Sequence, residues 1–115
     1  VLNNYAYYLA LRGDKLNRAE ELSKKSLEMK PESASFQDTY GWILFRLGRY
    51  DEARQFIERA ISTGGSDAVV LEHLGDVYFH LGDIDNALRL WNDALKSGSN
   101  ERLSRKIADR KYYEE

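Results

Sequence analysis

The chain has 115 residues, 43% of them apolar and 31% charged, with a formal net charge of −2. That balance describes a folded domain or short repeat array with no global attraction to nucleic acid or anionic lipid. The absence of cysteine excludes disulfides, thiolate metal sites and cysteine nucleophiles, and no apolar run reaches the roughly 18 residues that span a bilayer.

In chain order, helical patterning starts at once. Apolar and small residues predict first helices near 2–12, 35–47 and 68–81, and second helices near 17–29, 51–63 and 85–97. Asn17-Arg18-Ala19-Glu20 reads as a capping box for the first of the second helices. Pro31 closes that hairpin, and Ser33, Ser35 and Asp67 are candidate caps for the next two first helices. Gly13, Gly48 and Gly82 end the first helices. Gly64-Gly65 and Gly98 are expected to stop second helices through the left-handed C-cap conformation. A seventh helix is expected over about 100–112, started by Ser99 or Asn100. Leu103 and Ile107 give it a narrow apolar stripe, while Arg102, Arg105, Lys106, Asp109, Arg110 and Lys111 form its polar remainder. Such a helix suits the capped end of an array.

The elements repeat. Gly41 recurs at Gly75, Phe45 at Phe79, Leu47 at Leu81, Gly48 at Gly82, Ala53 at Ala87 and Ala60 at Ala94, each step 34 residues. A looser first copy has Ala6, Gly13 and Ala19 at the matching places, with one extra residue in its turn. Small residues allow two antiparallel helices to cross closely, and Leu9, Leu44, Tyr78, Phe56, Ile57 and Trp91 fill the space beside the crossing. The copies cover about 1–33, 34–67 and 68–98, with the last helix over about 99–113, read as one domain.

These three hairpins resemble tetratricopeptide repeats, and the run from Asp38 to Ala53 resembles repeats near the C-terminus of bacterial members. The resemblance implies an all-α, right-handed superhelical solenoid of three hairpins plus a C-terminal capping helix. It implies first helices lining a concave groove that takes an extended peptide or a partner helix. The groove residues expected are Asn3, Asn4 and Tyr7; Asp38, Thr39, Trp42 and Arg46; and Glu72, His73, Asp76 and His80. Trp42 reads either as an exposed binding anchor or as packing on Tyr7 or a neighbouring first helix. Acid exceeds base in this set, so a protein or peptide partner with basic residues beside an apolar anchor is expected.

Other chemistry is not encoded. His73 and His80 lie two turns apart, about 10 Å on one helix, too far to share an ion without a further element. Asp76 and His80 read instead as an i, i+4 pair or a solvated face. The cationic clamp by which some family members hold chaperone C-termini would fall on Asn3, Tyr7, Thr39, Val69 and His73, which include no permanent cation. No phosphate loop, nucleophile elbow, cofactor motif or metal set is present. A basic patch at 102–111 reads as a solvated cap, with no nucleic-acid partner and no membrane insertion expected. The start at Val1 reads as an internal piece of a longer protein, from either cytoplasm or periplasm. Its apolar first helix, with Leu2, Tyr5, Tyr8 and Leu9, offers a surface for self-association. Two functions follow: a non-catalytic scaffold for a partner segment, or a terminal stretch of a longer array that caps or self-associates.

Overall fold

The computed structural model describes residues 5–6, 15–65, 67–98 and 100–113. Among these, the regular elements are helices: α1 (Leu16–Met29), α2 (Ala34–Arg46), α3 (Tyr50–Ser62), α4 (Ala68–His80), α5 (Ile84–Ser97) and α6 (Glu101–Asp109). Tyr5 and Ala6 are also helical. The chain divides into two units, Val1–Gly65 and Ser66–Glu115, so the division falls at the junction of the second and third sequence repeats. Leu2, Tyr8 and Leu9 of the expected first helix, Gly13 after it and the candidate cap Ser99 lie outside the described residues.

In the first unit α2 packs on α3 and on α1. Gly41 is the reason α2 and α3 approach so closely: a Cβ there would sit 2.6 Å from Ile57 Cγ1 and 3.2 Å from the Ala53 carbonyl oxygen. Ala19, Ala53, Ile57 and Ala60 are fully buried around these crossings. Gly65 meets a similar limit, since a Cβ would lie 2.8 Å from that of Ala34. In the second unit α4 packs on α5, and α5 on α6. A Cβ on Gly75 would collide with the Trp91 indole, which fills the space the glycine leaves. Ala87, Trp91, Ala94 and Leu103 are buried together, with Tyr78, Phe79, Leu88, Leu95 and Ile107 packed around them. The small-residue crossings expected from the 34-residue period at Gly41 and Gly75 are therefore the crossings observed.

Helix ends follow the sequence in part. Ser33, Asp67 and Asn100 cap α2, α4 and α6, accepting from Phe36 N, Val70 N and Leu103 N at 3.3, 3.1 and 2.6 Å. Gly48 and Gly82 take φ of 81° and 86°, and the chain then closes each helix with Arg49 N donating to Leu44 O and Asp83 N to Tyr78 O, both at 2.9 Å. Three expectations change. There is no capping box at Asn17, because α1 already begins at Leu16 and Lys15, at φ 55°, makes no side-chain cap. Asn17 therefore lies inside the first turn, where it is not the capping residue. Gly98 is extended, at φ −171°, since the chain runs on into α6 within a few residues instead of turning back. The last helix stops at Asp109, short of residue 112, because Arg110 adopts the left-handed conformation at φ 53°.

Candidate binding surface

The residues expected to face a ligand divide between the two units. Asn3, Asn4 and Tyr7 lie outside the described residues. On α2, Asp38, Thr39 and Trp42 are buried and Arg46 is half-buried. The Trp42 ring stacks on Phe45, with centroids 4.9 Å apart and planes 20° from parallel. Its indole has no exposed surface, so Trp42 is not an exposed anchor; it packs, and the stacking contact is with Phe45 of its own helix and not with a neighbouring first helix. Nearby, Arg49 donates to Glu52 and to Glu20, and the Tyr40 hydroxyl also donates to Glu20 at 3.2 Å. These bonds tie α1 to the α2–α3 hairpin. The Arg49 hydrogen bonds hold the Glu52 carboxyl below its ordinary range, while burial and then Glu20 push the Tyr40 hydroxyl up. A shallow apolar hollow of about 320 Å³ lies beside them, lined by Leu27, Pro31, Tyr40 and Phe56 with Lys24 and Glu28.

The second unit holds a more definite site. Glu72, His73 and Asp76 on α4 are buried, and His80 is half-buried. Helix geometry places Glu72 and Asp76 one turn apart, on the same side of α4. Two cations of α6 meet them. Arg102 forms a two-point pair with Glu72, both bonds 2.9 Å. Lys106 donates to Glu72 Oε2 at 2.6 Å and to Asp76 Oδ1 at 2.8 Å. From the other side, Trp91 Nε1 on α5 donates to Asp76 Oδ1 at 3.1 Å. Glu72 and Asp76, Arg102 and Lys106, and the Trp91 indole thus form one hydrogen-bonded cluster joining three helices.

Three sequence expectations are corrected here. Lys106 is not on a solvated face of the last helix: its side chain has 0% exposure, because only there can it reach both acids. The acid excess expected to await a partner on α4 is neutralised by Arg102 and Lys106 of the same chain. Asp76 and His80 do not join by their side chains; His80 Nδ1 lies 2.9 Å from the Asp76 main-chain oxygen, since the Asp76 carboxylate is directed to Lys106 and Trp91. The His80 ring also meets Tyr112 edge-on at 4.8 Å.

Burial raises the Asp76 carboxyl to about 7 despite the charge and hydrogen bond of Lys106, which pull it down. Its Oδ2 has no hydrogen-bond partner among the described residues, which is consistent with that penalty. For Glu72 burial also raises, but the bonds from Arg102 and Lys106 outweigh it and leave the carboxyl below its ordinary value. Sequence reasoning missed Arg102 and Lys106 as members of this site. The signal was present as a count: Lys106 lies 34 residues after Glu72, one full repeat, and so occupies the register at which the two preceding copies carry Asp38 and Glu72. No group of three or more potential metal ligands occurs among the described residues, and no described helix is long and apolar enough to cross a membrane.

Paired helices crossing at a small residue, repeated every 34 positions, define a helical-hairpin repeat fold. Tetratricopeptide repeat models match residues 34–77 and 68–93, and the chain belongs to the tetratricopeptide repeat family. It is 32% identical over 76 residues, 66% of its length, to the TPR repeat-containing protein PA4667 of Pseudomonas aeruginosa. It spans about 13% of the length of that relative. Among solved structures it resembles the first TPR domain of Spaghetti (RPAP3) bound to the HSP90 peptide SRMEEVD, with a TM-score of 0.83 and 17% identity, covering 95% of this chain and 86% of that one. It also resembles YrrB, a TPR protein with an unusual peptide-binding site, with a TM-score of 0.77 and 24% identity, covering 92% of this chain and 54% of that one.

Proposed function

We propose that this chain is a non-catalytic protein-interaction scaffold whose first helices receive a segment of a partner protein. The observation that carries the reading is the fold likeness to a domain of nearly the same extent that holds a peptide. The partner differs from the one in that complex. The positions that would clamp a terminal carboxylate include Val69, half-exposed, and His73, buried, and no permanent cation. In the first unit the reading assigns contact to Asn3, Asn4, Tyr7 and Arg46, with the buried Asp38, Thr39 and Trp42 supporting them from beneath. The test is the affinity of a captured native partner for a chain carrying Arg46→Glu on α2, compared with Arg59→Glu on α3. Loss confined to Arg46→Glu supports the reading; loss confined to Arg59→Glu overturns it.

A second reading has its own observation. Helix α6 buries Leu103 and Lys106 and turns Glu101, Ser104 and Arg105 to solvent. That is the form of a cap, and it favours a stretch that terminates an array of repeats. Under this reading the change on α2 leaves partner affinity intact.

A further inference from the structure

We infer that the apolar hollow of the first unit receives a second copy of this chain, with α1 packed antiparallel on α1 about a two-fold axis. This goes beyond the scaffold reading and uses none of the residues assigned there. The hollow lies wholly within the first unit and is open to solvent, lined by Leu27, Pro31, Tyr40 and Phe56, with Lys24 and Glu28 along its edge. Tyr40 and Phe56 meet edge to face in its wall, with ring centroids 4.8 Å apart.

Two observations identify the occupant. The first is charge. Lys24 and Glu28 are exposed and stand one turn apart on α1, about 6 Å along its axis. Neither forms an ion pair among the described residues, whereas Arg18 and Glu20 of the same helix are paired. Across a two-fold axis at the level of Ser26, Lys24 of each copy faces Glu28 of the other. The pattern is its own complement, and a two-fold interface demands that: where residue i meets residue j, residue j must meet residue i. The second observation is an apolar group to fill the hollow. Met29, the last residue of α1, is 73% exposed, the most exposed of the large apolar side chains described. Helical side chains lean toward the N-terminus of their own helix. In the antiparallel pair Met29 therefore leans back over the hollow of the second copy, toward Tyr40 and Phe56. Methionine suits such a seat, being flexible and favourable against aromatic rings.

Sedimentation equilibrium of the full chain tests this with charge swaps. The wild type should dimerise reversibly, and less so at raised salt. In Lys24→Glu every charge at the two-fold contact is acidic, and in Glu28→Lys every one is basic. Each variant should weaken dimerisation at least about tenfold. An equimolar mixture of the two restores both ion pairs and should associate as the wild type does. Met29→Ala should weaken the dimer as well. All three residues are exposed, so folding is not at issue, and Tyr5 is the same in every arm. A wild type that stays monomeric at millimolar concentration leaves the hollow to a different protein and overturns the proposal. A mixture that associates no better than its components overturns it too, as do single variants that dimerise as tightly as the wild type. The scaffold reading, tested through Arg46, stands under each of these results.

Discussion

Gly75 and Trp91 are one packing decision made at two positions. The indole occupies the volume a side chain at residue 75 would need, and its N–H reaches Asp76 from there. Gly75→Ala should therefore destabilise the second unit by about 1–3 kcal/mol through overpacking, read as a lower urea midpoint. Lys106 is the second critical residue. Lys106→Ala leaves Glu72 bonded only to Arg102 and Asp76 facing no cation bond, and should cost about 3–5 kcal/mol. An unchanged midpoint for Lys106→Ala would contradict its burial.

The same cluster sets a pH dependence. A carboxyl whose folded value is raised binds its proton more readily in the folded state than in the unfolded one. Asp76, at about 7 against an ordinary 3.8, therefore adds stability at low pH that is lost as pH rises through about 7. Glu72 runs the other way: its lowered value gives stability above its ordinary 4.5 that is lost on further acidification. Between those limits Asp76 governs, facing Glu72 and His73 on α4, Trp91 on α5, and Lys106 on α6. The protein should be more stable near pH 5.5 than near pH 8 relative to Asp76→Asn, measured by urea unfolding of both. Parallel pH profiles for the two proteins would refute the shift.

At the scale of elements, caps and crossings are separable. Asn100 accepts from Leu103 N, and its loss in Asn100→Ala should cost about 1 kcal/mol and speed hydrogen exchange in the first turns of α6. Removing the chain from residue 99 onward should cost far more, because it uncovers Trp91, Leu88 and Leu95 and leaves Glu72 and Asp76 without their cations. A truncated chain with an unchanged melting curve would show that α6 contributes nothing to the second unit. The helix periods and most of the caps were legible because each depends on residues within one turn of one another. The false capping box at Asn17 shows the limit of that locality. The residue types were right, but a left-handed Lys15 started the helix earlier than the pattern indicated.

For the whole molecule, the family and the hairpin order follow from the repeat, while the partner does not. The net charge of −2 gives no long-range steering by itself, so selectivity must reside in local groups. Tyr5 is 54% exposed, and we expect it to support concentration-dependent self-association that Tyr5→Glu weakens, read by light scattering. A strict monomer at millimolar concentration would count against this.

The sequence by itself determined the hairpins, because glycine or alanine every 34 residues leaves a helix only one close-packed partner face. Gly41 beside Ile57 and Gly75 beside Trp91 were readable from spacing alone. Only the tertiary structure decided where the polar residues of the first helices and of α6 reside. Lys106 and Arg102 look like solvated charges on a polar helix, and Glu72 and Asp76 look like an open acidic face. Each was misread for the same physical reason: a charge is stable in the interior only beside its opposite, and here the opposite lies 30 or 34 residues away, beyond any local pattern.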